Sequence, residues 1–157
     1  MPGSNCAIVV QATGSYDALN VYNGSATLTL TGSYSQSTFH STVLTSETLT
    51  GSYDSVLNAT INSPSMTLTG SNNDVQTFQI LSLHTLTVTG SYSTLTLTSL
   101  THSPINMTLT GSYDLVHFNN ALINNLKVTG SYDSLYAHNT TIVHQTITGT
   151  GDHIYYV

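Results

Sequence analysis

Apolar and polar residues alternate along most of this chain. Leu30, Leu49, Leu68, Val88, Leu109, Val128 and Ile147 each sit between two polar side chains, and a second alternating stretch carries Leu19, Val56, Val75, Leu95, Val116, Leu135 and Ile154, with Ser37 its polar exception. A period of two sends successive side chains to opposite faces of a strand, so both stretches predict strands with one buried face. Thr, Val, Ile and Tyr suit such a pleated surface, and Lys, Glu and Arg are nearly missing. No segment reads as a helix.

The alternation is locked to a repeat. A Thr-Gly pair recurs with its glycine at Gly14, Gly32, Gly51, Gly70, Gly90, Gly111, Gly130 and Gly149, in steps of 18 to 21 residues. Ser-Tyr follows in six copies (Tyr16, Tyr34, Tyr53, Tyr92, Tyr113, Tyr132), while Asn72 and Gly151 stand in the tyrosine's place. Asp then follows at Asp17, Asp54, Asp114, Asp133 and Asp152.

A unit of about 19 residues with two or three short strands cannot bury its own apolar side, so units must stack, with equivalent positions in ladders about 4.8 Å apart. The predicted fold is therefore all-β: a single-stranded parallel β-helix, or β-solenoid, of about eight coils. Right-handed winding is expected from the usual preference of parallel crossovers. Residues 1–157 form one domain, with an N-terminal edge strand in 1–13, seven repeats in 14–148 and a C-terminal edge strand in 149–157. The glycine marks a corner that needs positive φ or close backbone approach. Length variation is expected around Ser63-Pro64 and Ser103-Pro104.

The turn Thr148-Gly-Thr-Gly-Asp152, with its Gly-Ser-Tyr-Asp counterparts, resembles the Gly-Ser-Gly-Asp turns of the bacterial head GIN, or autotransporter adhesin head, domain. The likeness covers almost the whole chain in rhythm, and departs from the family by Tyr for Gly and by a lower charge content. It implies a β-solenoid with a surface-associated, adhesive role, and transfers no catalytic residues.

Charge narrows the partners. One Lys (Lys127), no Arg, one Glu (Glu47) and six Asp give a formal charge of −6. A single basic side chain cannot neutralise a phosphate backbone, which argues against nucleic acid and against an anionic membrane surface. No apolar run approaches the length of a membrane span. The lone Cys6 cannot form an intrachain disulfide. Cys6-Ala-Ile-Val-Val10 is too short, and too bare of charge before it, to read as a secretory signal. The hydroxyl-rich, Lys-poor composition resembles that of extracellular and some viral proteins, so an extracellular or surface location is expected.

Four features carry candidate chemistry. The first is Thr-x-Thr before each corner: Thr29/Thr31, Thr48/Thr50, Thr67/Thr69, Thr87/Thr89, Thr108/Thr110 and Thr146/Thr148, with Lys127-Val-Thr129 departing. Its middle residue points inward, so both threonines face out in two columns, about 6.7 Å apart across the strand and about 4.8 Å apart between coils. The array is similar to the ice-binding face of insect hyperactive antifreeze proteins. Threonine is equally the ordinary outward residue of an exposed parallel sheet. The second feature is the tyrosine column, which either stacks sugars or a partner or shields the solenoid's edge.

The third is the Asp column, in which Asp114, Asp133 and Asp152 fall in successive coils. Such carboxylates raise one another's pKa, and could share calcium or act as a glycosidase pair. Capping of backbone N–H groups at the corner is the simpler reading. The fourth is a set of seven histidines, His40, His84, His102, His117, His138, His144 and His153, which fall in different columns with no ligand spacing. Sequons occur at Asn23, Asn58, Asn106 and Asn139.

The strand-like ends, Ile8, Val9 and Val10 at one and Ile154, Tyr155 and Tyr156 at the other, present edges suited to stacking. The expected function is that of a non-enzymatic structural or adhesive solenoid, without cofactor or metal, that self-assembles through its coil ends and offers its surface to glycans or a host. Ice binding is the alternative, and polysaccharide binding or cleavage stands third.

Overall fold

The computed structural model describes residues 7–16, 18–57 and 60–157; Cys6, Asp17 and the sequon residue Asn58 lie outside them. Strands β1 (Ala7–Ser15), β2 (Ala18–Ser33), β3 (Gln36–Ser52), β4 (Ser55–Leu57), β5 (Thr60–Ser71), β6 (Asp74–Ser91) and β7 (Thr94–Ser99) make up the first part. They are followed by β8 (Pro104–Ser112), β9 (Leu115–Asn119), β10 (Leu122–Ser131), β11 (Ser134–His138), β12 (Thr141–Ile147) and β13 (His153–Tyr156). Every pairing between them is parallel, and the chain winds through about eight turns of roughly 19 residues. This is the β-solenoid that the repeat predicts.

Each turn has a short side and a long side. The short side runs through Ala18–Tyr22 of β2, β7, β9, β11 and β13, and the long side through Ser25–Ser33 of β2, β8, β10 and β12. Inward residues stack by register into continuous columns. Leu30, Leu49, Leu68, Val88, Leu109 and Val128 form one, and Val116, Leu95 and Leu135 lie in the facing one. All are buried. A ladder of this kind removes apolar surface from water only when the coil above is in place, so burial and stacking are the same event.

The unequal step lengths are absorbed by register shifts at Ala26/Thr27, Leu44/Glu47, Ile61/Asn62, Val75/Phe78 and Ile123/Asn125, and by Leu100–Ser103 between β7 and β8. Two of these places match the looseness expected near Ser63-Pro64 and Ser103-Pro104. The others were not legible, because a bulge inserts a residue without a Pro or Gly to mark it. The segment from Thr-x-Thr through Gly-Ser carries no shift in any coil.

Of the two roles expected of the corner glycine, close backbone approach is the general one, and a positive φ is found at Gly32 and Gly70 among the repeat glycines. The left-handed turn residue is the tyrosine two positions later, with φ between 60° and 68° at Tyr16, Tyr34, Tyr53, Asn72, Tyr92, Tyr113 and Tyr132. At the glycine, an added Cβ would land on the carbonyl oxygen of the preceding coil's glycine, from Gly32 on Gly14 through to Gly130 on Gly111. Close backbone approach is therefore the reason for the residue.

Several polar side chains enter the interior, and away from the corner Ser37, Ser99 and Glu47 do so with no hydrogen-bond partner for their side-chain oxygens. Ser37 takes an inward position on the short side, buried, with its hydroxyl unpaired. Glu47 lies in the long-side column between Leu28 and Met66, buried, with neither carboxyl oxygen hydrogen-bonded.

Candidate functional site: a threonine face and a tyrosine ladder

Outside the long side, register sets up two threonine columns. The one next to the corner runs Thr13, Thr31, Thr50, Thr69, Thr89, Thr110 and Thr129 without interruption, and Thr148 continues it through a 3.3 Å hydrogen bond to Thr129. Thr13 belongs to it although Gln11-Ala-Thr13 is not a Thr-x-Thr copy. The other column holds Gln11, Thr29, Thr48, Thr67, Thr87, Thr108, Lys127 and Thr146. The two are not equally outward. Thr31, Thr50, Thr69, Thr89 and Thr110 are exposed, whereas Thr29, Thr48, Thr67, Thr87 and Thr108 are half-buried. The second set has neighbours on both sides along the strand, and the first set abuts a glycine.

Across the corner stands the tyrosine ladder. Tyr16, Tyr34 and Tyr53 stack at 5.1 and 4.8 Å between ring centres, and Tyr92, Tyr113 and Tyr132 at 5.0 and 5.1 Å, all within 12° of parallel. A left-handed non-glycine residue costs about 1–2 kcal/mol. Ring stacking returns about 0.5–1.5 kcal/mol per pair, so the stack offsets the strain that its own geometry imposes. Gly151 seals one end, since a Cβ added there would meet Tyr132 Cδ1 at 2.7 Å.

The next residue turns inward. Asp54, Asn73, Asp114 and Asp133 are buried, and each caps the backbone N–H one coil earlier. Ser35 donates to Asp54 Oδ1 at 3.0 Å, Asp54 to Asn73 Oδ1 at 3.1 Å, and Ser93 to Asp114 Oδ1 at 2.8 Å. Asp114 and Asp133 in turn donate to Asp133 and Asp152 at 2.9 and 3.0 Å. The capping is thus between coils. The second oxygens of Asp54, Asp114, Asp133 and Asp152 are buried without partners. Burial pushes the Asp114 carboxyl up to about 7, against the Ser93 N–H and with help from Asp133. Asp54 and Asp133 are raised as well, again chiefly by burial. Among the described residues no three His, Cys, Asp or Glu side chains are grouped to hold a metal.

The histidines are less scattered than their sequence positions imply. On the short side His117 stacks on Tyr136 at 4.8 Å, Tyr136 on Tyr155 at 4.7 Å, and His117 lies 6.0 Å from His138. Burial, then His138, lowers the pKa of His117. Counted from the repeat glycine, His117, Tyr136 and Tyr155 share one offset, the signal that would have shown this ladder in advance.

At the ends, the inward residues Ile8, Val10, Ala12 and Leu19 on one side and Ile142 and Ile154 on the other are half-buried, although their counterparts in inner coils are buried. Val9 points outward and is 72% exposed. Tyr155 belongs to the short-side ladder, and the Tyr156 hydroxyl donates to Gln145 Oε1 at 3.3 Å. No protein-family model, curated protein or solved structure matches this chain.

Proposed function

We propose that this protein is a non-enzymatic structural solenoid that continues its own stack from one copy to the next. The observation that carries this reading is the pair of end coils. Among the described residues, strand β1 pairs on one side only, as do β12 and β13 at the other end, and the core columns are half-buried there at Ile8, Val10 and Leu19 and at Ile142 and Ile154. The corner columns match at both ends: Thr148-Gly149 would lie on Thr13-Gly14 of the following copy as each coil lies on its neighbour. Such a contact is heterologous and does not close, so it propagates into a filament. Acidic groups buried as backbone caps, with no basic side chain beside them, support a structural role over catalysis.

The glycine column gives a sharp test. Within the chain, the Cβ of each substituted glycine points at the previous coil, so the Cβ of Gly14→Ala would point out of the first coil and into the incoming Gly149 carbonyl. Electron microscopy is expected to show filaments for the native protein. Gly14→Ala is expected to melt within about 0.5 kcal/mol of it and to remain as single particles. Native protein that stays monomeric over a wide concentration range, or filaments of unchanged length in Gly14→Ala, would overturn the reading.

One observation favours a second use of the same scaffold. The corner column presents a threonine in every coil and passes through no register shift, the regularity that an ordered water layer requires. If it binds ice, the native protein shows thermal hysteresis, and Thr89→Tyr with Thr110→Tyr abolishes it. Absence of hysteresis in the native protein removes this reading and leaves the threonines as ladder residues.

A further inference from the structure

The tyrosine ladder has one missing rung, and we propose that this gap is a binding slot for a single ring of a neutral hexopyranose chain. Tyr53 and Tyr92 belong to coils on either side of the one that carries Asn72 at the ladder position, with the same left-handed backbone, φ 60°. The register is unbroken through this corner, from Gly70 on Gly90 to Ser71 on Ser91, and Asn72 N–H donates to Ser91 O at 2.9 Å as its tyrosine counterparts donate in their coils. The column therefore continues through Asn72, and only the ring is lacking.

Two ladder steps place the Tyr53 and Tyr92 rings about 9.6 Å apart centre to centre. That spacing admits one ring, stacked on a tyrosine face at each side at the distance the ladder itself uses. The faces bordering the gap have no ring stacked on them, and the Tyr92 side is the more open: Tyr92 is 57% exposed and Tyr53 50%, against 49% for Tyr113 and 48% for Tyr34, which are covered on both faces. Elsewhere in the ladder the faces are taken by neighbouring tyrosines or by Gly151. Among the described residues the outer face of Tyr16 is the other one without a stacked ring, and it offers one side alone.

The floor of the slot selects among flat guests. It is formed by the half-buried Asn72. A phenyl edge pressed onto that carboxamide would strip water from its N–H and C=O groups and return nothing. A pyranose is rimmed by hydroxyls that can pair with both, while its C–H faces meet the two aromatic faces. Charge sets the remaining limit. Asp74 lies two residues on and the one basic side chain, Lys127, lies three coils away, so an acidic sugar is disfavoured and a neutral one is not. The slot lies in mid-stack and does not depend on assembly through the ends.

Saturation-transfer NMR with cellohexaose, maltohexaose and mannohexaose as probes tests it. At least one is expected to bind native protein with a dissociation constant on the order of 1 mM. Asn72→Tyr restores the residue that six other coils carry, closes the slot, and is expected to weaken binding at least tenfold while the melting temperature stays at or above that of the native protein. Tyr92→Asn removes one face, using the side chain already tolerated at position 72, and weakens binding likewise; it carries the test if Asn72→Tyr fails to fold. The proposal is overturned if none of the three probes binds, if binding survives both substitutions, or if p-cresol binds in an Asn72-dependent way and the sugars do not.

Discussion

Glu47→Met is expected to stabilise the protein at every pH, and by about 4 kcal/mol more at pH 8 than at pH 4. The native carboxyl sits in a column otherwise made of Val10, Leu28, Met66, Leu86, Met107 and Leu126, capped by Gln145, with no hydrogen bond to either oxygen. Burial pushes it from 4.5 up to about 8. The folded chain therefore holds a proton that the unfolded chain gives up. Between those two values the unfolded state binds fewer protons, so stability is fully present below about pH 4.5 and is lost as pH rises towards 8. Methionine matches the adjacent Met66 and, further along the same column, Met107, and removes the titration.

The raised carboxyls of Asp54, Asp114 and Asp133 act in the same direction, so a smaller acid preference persists in the variant. Glu47→Gln separates the two contributions. It removes the Glu47 part of the pH slope but leaves a buried amide unpaired, so it gains less at pH 4 than methionine does. Denaturant melts at pH 4 and pH 8 measure all three proteins. An equal gain for Glu47→Met at both pH values would mean that the native carboxylate finds water and titrates as it does in the unfolded chain, contrary to the expectation.

The architecture was legible because the repeat imposes the same physical demand eight times. Once Gly14 to Gly149 are aligned, Leu30 and its counterparts fall inward, and the parallel stack is the one arrangement that buries them all. Glu47 was legible by the same device, four residues before its glycine, where the other coils carry Val, Leu, Met or Gln. It was missed because a single acidic residue in a chain with so little charge reads as a surface residue. The Asp column was legible as a set of backbone caps, but not that the capped N–H belongs to the neighbouring coil and the carboxyl is buried. An Asp after a corner ordinarily faces water, and only the left-handed tyrosine before it turns the carboxyl inward to cap the coil below. The ladder on His117 and Tyr136 depends on contact between coils, which a search for ligand spacing along the chain does not detect. The missing rung at Asn72 was visible as a departure from Ser-Tyr, but its meaning required the rings to be stacked.

Gly90→Ala is expected to be strongly damaging to the long-side corner, with a loss of more than about 3 kcal/mol. The added Cβ would fall on the Gly70 carbonyl oxygen, and both partners are backbone atoms held by ladder bonds on either side, so no side-chain rotation relieves the overlap. The coils must part at that point. Because each coil contacts only its neighbours, a separation in mid-stack uncouples the two ends, and unfolding should divide into two steps. Tyrosine emission can follow it, since the chain has ten tyrosines and no tryptophan, with Tyr16, Tyr34 and Tyr53 before the break and Tyr92, Tyr113 and Tyr132 after it. Thr89→Ala, one residue earlier and pointing out to solvent, should change stability by no more than about 0.5 kcal/mol and keep a single step. A Gly90→Ala protein that melts as the native one does would show that the coils stand further apart than the glycine column requires, and close backbone approach would no longer account for the glycine of the repeat.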